Sequence, residues 1–357
     1  MTTKVVHLFF PGPLGGAEKV LLSALPRLSD VKSIKTKLWL VKESRSPSAI
    51  TDFLDQLYDG ISHSVFECNK ILDLSLMRKL KDELTGDEII HAHGLKATFY
   101  ARLIKKYNNK LIITHHGHTS HTLKVRIYEW IQERIMKKAD QVISVSKSMQ
   151  DQLLELSIKS SLVENPLSLK RLELKMESTA NPDILKLVVV GRLSPEKGIN
   201  ILLDAITDIE NIELTIVGDG QEKTNLARIV KENNIENKVQ FVGFQKEILP
   251  YLSESDCLVM PSLREGLPMT LIEAMCFGLP VIGSKVGGLK YLVQENGILV
   301  SPNNSKELKS AINIFIENSK EFKINAKEKS ETFQKRFSVE TWVKNTVKIY
   351  KNVSNQR

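Results

Sequence analysis

The stretch Pro261-Ser-Leu-Arg-Glu265-Gly-Leu-Pro268-Met-Thr-Leu-Ile-Glu273-Ala-Met-Cys-Phe-Gly278-Leu-Pro280 decides how this chain is read. It follows a short apolar run, 256–260, with the composition of a buried strand. Gly266 and Pro268 then mark a loop, and an apolar helix begins near Met269 and stops at Gly278. In an open α/β fold, strand, loop and helix in this order hold a ligand beyond the carboxyl end of the strand. The unpaired N–H groups and positive dipole end of the helix suit a phosphate. Glu273, one turn in, can accept hydrogen bonds from a ribose diol. Glu265, in the loop, can reach sugar hydroxyls on the other side of that phosphate. Two such glutamates on their own would more often cap the helix and pair with a lysine, so their company matters.

That company lies upstream, in Val188-Val-Val-Gly191-Arg192-Leu-Ser-Pro195-Glu-Lys197-Gly198, again a strand, a loop and a helix start. Arg192 directly after the strand and Lys197 just before the helix can converge on one anion. A forked guanidinium and a point-charge ammonium can together offset the charge on a nucleoside diphosphate as it leaves. The bland alternative is two surface cations. Ile216-Val-Gly218-Asp219-Gly220 closes a third strand at the same sheet edge. In the first half, Pro13-Leu-Gly15-Gly16-Ala17-Glu18 joins the first strand to the first helix, and paired glycines let backbone approach a ligand. This loop is neither a G-x-G-x-x-G fingerprint nor a P-loop, so a nicotinamide cofactor has no support.

Strand-like runs alternate with amphipathic stretches along all 357 residues. Strands are expected at 5–10, 37–41, 88–91, 110–114 and 141–145, then at 186–190, 213–217, 238–242, 256–260, 280–283 and 297–300. Such alternation means a parallel sheet covered on both faces, and it runs its course twice, so two doubly wound domains are expected. The polar stretch between two Asn-Pro steps, Asn165-Pro166 and Asn181-Pro182, marks the seam. The expected organisation is an N-terminal domain at 1–167, a hinge at 168–183 and a C-terminal domain at 184–337, to which the resemblance named below assigns the acceptor side and the nucleotide-sugar respectively. A C-terminal helix at 338–357 would pack on the second domain or cross back to the first.

The apolar run at the N-terminus is stopped by Pro11-Gly12-Pro13, and no later stretch is long enough to span a bilayer. Cys68, Cys257 and Cys276 are an odd count among apolar neighbours, as reduced buried thiols are, which points to the cytoplasm. The net charge is +8, concentrated between Lys96 and Lys147, where eleven Lys or Arg face three acids. That window is a solvated surface or a site of attraction to anionic lipid or a phosphate-bearing acceptor. Aromatics are only 6% and no recognition motif occurs, so nucleic acid is not an expected partner.

Two histidine clusters, His91-Ala-His93 and His115-His116-Gly117-His118, each end a strand. H-x-H is a real ligand spacing, so a metal-dependent hydrolase is a rival reading. No Asp or Glu stands beside either cluster to complete the usual set. A polar role toward sugar hydroxyls accounts for a histidine here without a metal.

Taken together, these residues resemble glycosyltransferase family 4, a retaining family with the GT-B fold, and the resemblance spans essentially the whole chain. Glu265 and Glu273, separated by seven residues, and Gly191-Arg-Leu-x-Pro-Glu-Lys-Gly198 carry it most specifically. The resemblance implies an α/β GT-B fold, two Rossmann-like domains facing across a donor-binding cleft. It implies that Glu265 contacts the donor sugar, Glu273 the ribose, Arg192 and Lys197 the diphosphate, and the backbone near Thr270 and Leu271 the phosphate oxygens. Gly15, Gly16, Gly218 and Gly266 would lie along the donor. The family's Thr-x-His pattern lands on His116, with His115 a rival one residue away, and Asn165 matches the hinge asparagine, although the family usually has Asn-Gly there.

The implied activity is transfer of a hexose from a nucleotide-diphosphate donor, most often a UDP-sugar, with retention of configuration. The acceptor would be a glycan or lipid-linked saccharide in surface polysaccharide synthesis. His116, Glu265, Arg192 and Lys197 would be the catalytic set. No Asp-x-Asp pair occurs, so no metal and no other cofactor is expected. The helix expected at 125–138 sets Ile127, Tyr128, Ile131 and Ile135 on one face amid basic residues, a face that either packs into the core or makes peripheral contact with an anionic membrane, at its inner face. Rival readings are a sugar-nucleotide epimerase or phosphorylase on the same fold, or a non-catalytic partner subunit. The intact Arg192, Lys197, Glu265 and Glu273 set speaks against the last.

Overall fold

The computed structural model describes residues 2–12, 16–44, 47–70, 72–116, 123–167 and 184–355. The chain divides into two compact units, Met1–Pro166 with Ser338–Arg357, and Leu167–Phe337. The expected hinge, 168–183, lies outside the described residues.

The first unit holds a parallel sheet of β1 (Thr3–Phe9), β2 (Ile34–Glu43), β3 (His63–Cys68), β4 (Ile89–His93), β5 (Lys110–His115), β6 (Gln141–Ser144) and β7 (Ser161–Leu162), in the order β3-β2-β1-β4-β5-β6-β7. The second holds β8 (Leu185–Val190), β9 (Ile212–Val217), β10 (Val239–Gly243), β11 (Cys257–Met260), β12 (Val281–Ser284) and β13 (Gly297–Val300), in the order β10-β9-β8-β11-β12-β13. Strand order therefore reverses between β1 and β4 and again between β8 and β11. At these switch points the following loops diverge and leave a crevice at the carboxyl edge.

The sequence builds these sheets because its β-branched runs are apolar on both faces, as central parallel strands must be. Side chains alternate across the pleat. In the second unit Leu187 and Val189 enter one core with Leu202 and Ile206, while Val188 enters another with Leu271 and Met275. In the first unit Val6 and Leu8 face one core, and Val5 and Phe9 face the other. The second of these is roofed by the helices Gly16–Ser29 and Val339–Asn355, the latter contributing Trp342, Ile349, Tyr350 and Val353. The C-terminal helix thus belongs to the first unit.

Two strands escaped the sequence reading. β3 is an edge strand whose residues alternate between exposed and partly buried, and β7 has two residues. Neither carries a continuous apolar run. Among the described residues no helix is long and apolar enough to cross a membrane. All three cysteines are free and buried, and burial pushes the Cys276 thiol up to about 12.

Candidate functional site

The loops after β8 and β11, on either side of the second switch point, carry most of the residues singled out from the sequence. After β8 the chain makes a short 3-10 turn, Pro195–Lys197, and enters the helix Ile199–Ile206 through Gly198, which has φ of 60°. That left-handed conformation disfavours a side chain, and a Cβ on Gly198 would also lie 2.3 Å from the Pro261 carbonyl oxygen. The two loops are therefore in contact, and Leu263 N–H donates to the Glu196 carbonyl at 2.8 Å.

This contact brings Lys197 to Glu265. The Lys197 Nζ donates to Glu265 Oε1 at 2.6 Å, and the Ser262 hydroxyl donates to the same oxygen at 2.8 Å. Glu265 is well buried, with 8% of its side chain exposed against 22% for Lys197. Both contacts fall on Oε1. An ammonium has three hydrogens, so Lys197 keeps donors for a phosphate while it holds Glu265. Arg192, on the same loop as Lys197, is exposed. The Glu196 carboxyl is held below its usual range, first by a hydrogen bond from Ser194 and further by the charges of Lys197 and Arg192. A small cavity between the ends of β8 and β11 is lined by Gly191, Lys197, Pro261 and Ser262.

The helix Met269–Phe277 starts at Pro268 with no side-chain cap. Leu271, Ile272, Ala274, Met275, Cys276 and Phe277 are buried, so only Met269, Thr270 and Glu273 reach partial exposure. Glu273 is the one charged residue of an otherwise apolar helix, on the face of its first turn. The N–H of Leu271 donates to the Pro268 carbonyl at 3.1 Å, and its side chain is core. Gly266 is exposed, and its carbonyl accepts from Gly288 N–H at 2.7 Å. Gly218 lies beneath the first loop, where a Cβ would meet the Gly191 carbonyl oxygen at 1.9 Å, so its place is to seat that loop.

Two contributors were not read from the sequence. One is Ser262, which holds Glu265. The other is Gly287-Gly288, because a Cβ on Gly287 would lie 1.7 Å from the Glu265 carbonyl oxygen. The readable signal was a glycine pair in the loop after β12, at the same sheet edge.

In the first unit Gly15 lies outside the described residues and Gly16 opens the first helix, exposed. The Glu18 carboxylate accepts from Gly12 N–H at 3.0 Å and so shapes the loop. The pleat separates the two histidine candidates. Thr114 and His116 face the side roofed by the C-terminal helix, whereas His115 is buried on the other face. The rest of the second cluster, Gly117 and His118, lies outside the described residues.

His93 stacks near His116, with ring centroids 6.1 Å apart, on the same side as His7 and His91. His7, His91 and His93 offer ring nitrogens all within 4.8 Å of one another, and they are the histidines to weigh as metal ligands among the described residues. Several of their nitrogens meet protein groups. His7 Nδ1 meets His93 Nε2 at 2.9 Å, while His91 pairs Tyr350 OH and Thr114 Oγ1, each at 2.7 Å. Burial pushes His7 down to about 3 and His116 down to about 4, with His91 and His93 also well below the ordinary imidazole value. The hydrogen bonds of Tyr350 to His91 and His7 tie the C-terminal helix to the sheet.

Of the expected apolar face, Ile131 and Ile135 pack into the first unit's core, while the side chain of Ile127 lies outside those described. Among the described side chains of Leu123–Met136, Trp130 and Arg134 are exposed, the guanidinium 4.0 Å from the indole centroid.

Two parallel-sheet units, with paired cations and glutamates at a switch point, define a sugar-transferring α/β enzyme of the GT-B class. The family model for glycosyl transferases group 1 matches residues 170–332, and that for glycosyltransferase family 4 matches residues 46–171. An uncharacterised glycosyltransferase of Methanocaldococcus jannaschii is 30% identical over 287 residues, covering 76% of this chain and 78% of that protein. An O-antigen biosynthesis glycosyltransferase of Escherichia coli is 27% identical over 253 residues, covering 66% and 70%. The crystal structure of Anabaena HepE in complex with UDP superposes with a TM-score of 0.83 at 22% identity, covering 98% of this chain and 100% of that one. The chain belongs to the group 1, family 4 glycosyltransferases.

Proposed function

We propose that this glycosyltransferase moves a hexose from a nucleoside-diphosphate donor, with UDP as the first nucleotide to try, and with retention at the anomeric carbon. The acceptor is a saccharide or lipid-linked saccharide of a surface polysaccharide. The observation that carries the reading is Lys197 bonded to Glu265 Oε1 at 2.6 Å. In this reading the carboxylate serves sugar hydroxyls, while Lys197 and the exposed Arg192, whose charges both reach the Glu196 carboxyl, serve the phosphates. In the transfer the bond from C1 to the diphosphate oxygen breaks, the acceptor oxygen bonds C1, and the acceptor proton ends on the departing phosphate. Arg192, Lys197 and the N-terminus of Met269–Phe277 stabilise that anion without a divalent ion, because their charge is fixed before the reaction starts. Glu273 holds the ribose, and His116 contacts a sugar hydroxyl.

Solved structures of HepE with UDP and with UDP-glucose support the choice of nucleotide. Relatives named for O-antigen and amylovoran biosynthesis support the class of acceptor. The exposed Trp130–Arg134 pair with Lys137 and Lys138 supports peripheral contact with anionic lipid at the cytoplasmic side. Sedimentation with anionic vesicles at low salt tests that contact, and a lack of co-sedimentation would remove it.

The function is tested by a thermal-shift screen of UDP-, GDP- and ADP-sugars with chelator present, followed by acceptor-dependent transfer. The expected result is one stabilising nucleotide class and turnover that survives chelation. Stabilisation only with added divalent metal would overturn the metal-free mechanism. An epimerase or phosphorylase would act without a saccharide acceptor or need free phosphate.

A further inference from the structure

On the roofed side of the first unit's sheet lies a small cavity whose polar lining is His93, Thr114, His116, Asn165 and Thr346. Among the described residues, seven buried side-chain nitrogen or oxygen atoms have no hydrogen-bond partner in the protein. Three of the seven, His116 Nε2, Asn165 Oδ1 and Thr346 Oγ1, belong to residues of this one cavity. Asn165 is 6% exposed and Thr346 fully buried. A buried polar atom without a partner forfeits the hydrogen bond it had with water in the unfolded chain. Three such atoms around one space share a single remedy.

The hydrogen-bonding valences agree. Asn165 Oδ1 can only accept, a neutral imidazole nitrogen can accept, and the threonine hydroxyl can donate. The remaining lining is apolar, including Val20, Ile143 and Trp342, which leaves no counter-charge for an ion. The space holds about one water molecule.

We propose that this cavity is the binding site of a single buried water, which donates to Asn165 Oδ1 and His116 Nε2 and accepts from the Thr346 hydroxyl. The water fixes His116 as the Nδ1–H tautomer and sets the angle of its ring. Asn165, just before Pro166, and Thr346, on the C-terminal helix, are then positioning residues that act on His116 through the water. Burial, which holds the imidazole neutral down to about pH 4, keeps the accepting lone pair available. The water site stands on the cavity alone, and its effect on turnover rests on the role given to His116 above.

The test is a high-resolution crystal structure of the unliganded enzyme together with 15N imidazole NMR, the His116 signal being assigned by its loss in His116→Gln. The expected result is one solvent peak within hydrogen-bond distance of all three atoms and an unprotonated Nε2. Thr346→Val should displace the peak, mix the tautomers and lower kcat about tenfold with little change in donor KM, and Thr346→Ser should restore both. The proposal is overturned by an empty cavity in a map that shows other buried waters, by a protonated Nε2, or by the three atoms bonding one another directly. Should Thr346→Val fail to fold, the wild-type map and spectrum still decide. Absence of glycosyl transfer would leave both readouts intact, so failure of the functional reading is told apart from failure of the water.

Discussion

Glu265 is where charge, hydrogen bonding and burial meet. Its Oε1 takes both the Lys197 ammonium and the Ser262 hydroxyl, which fixes the carboxylate rotamer before any sugar arrives. Glu265→Gln keeps the shape and loses the charge that anchors Lys197. It is expected to lower kcat/KM for the donor roughly 100-fold or more, because a catalytic cation then loses its fixed position. Ser262→Ala removes one hydrogen bond to a charged group and should reduce kcat/KM about tenfold. Steady-state kinetics with varied donor check both, and a Ser262→Ala loss larger than that of Glu265→Gln would contradict this ordering. At this scale much was legible: Arg192, Lys197, Glu265 and Glu273 announce themselves as charges beside strand ends and helix starts. Ser262 was not, since a serine in a loop has no distinguishing pattern until its partner is placed. His116 could be separated from His115 only once the pleat of β5 was known.

The loops are built as elements that brace one another. Gly198 abuts the Pro261 carbonyl, Gly218 abuts Gly191, and Gly287 abuts Glu265. Gly287→Ala would drive a methyl into the Glu265 carbonyl, so the loop bearing the glutamate must shift. Activity should fall at least about tenfold, since catalytic groups tolerate little displacement, while the fold of the unit is retained. Circular dichroism alongside turnover checks this, and full activity would show that the loop's position is not critical. The strand–helix alternation was readable because central parallel strands are apolar on both faces. β3 was not, because an edge strand exposed on alternate residues looks like any polar loop. The apolar face expected at 125–138 left core and membrane open for a related reason: periodicity shows that a helix has an apolar side, not whether protein or lipid covers it, and Ile131 and Ile135 go to the core.

Across the whole molecule, His7, His91, His93 and His116 are expected to make the first unit sensitive to acid. Their folded-state affinities for protons are depressed by burial, His7 to about 3 and His116 to about 4. The unfolded chain therefore binds more protons as pH falls below about 6.5. Their stabilising contribution is present in full above that value and is lost as pH falls toward 4, with a slope of up to about 1.4 kcal/mol per pH unit for each histidine. Thermal unfolding followed from pH 7 to 4.5 should show the midpoint dropping steeply. His7→Gln should flatten the slope, and an unchanged slope would show that these histidines are not its source. In the proposed mechanism fixed cations, and not a bound divalent ion, stabilise the departing diphosphate. Its most direct test is the kcat of an enzyme carrying both Arg192→Ala and Lys197→Ala, measured with chelator against the unmodified enzyme under the same conditions. A loss of about 1000-fold or more is predicted, with the unmodified enzyme indifferent to the chelator; turnover untouched by the double substitution would contradict the claim.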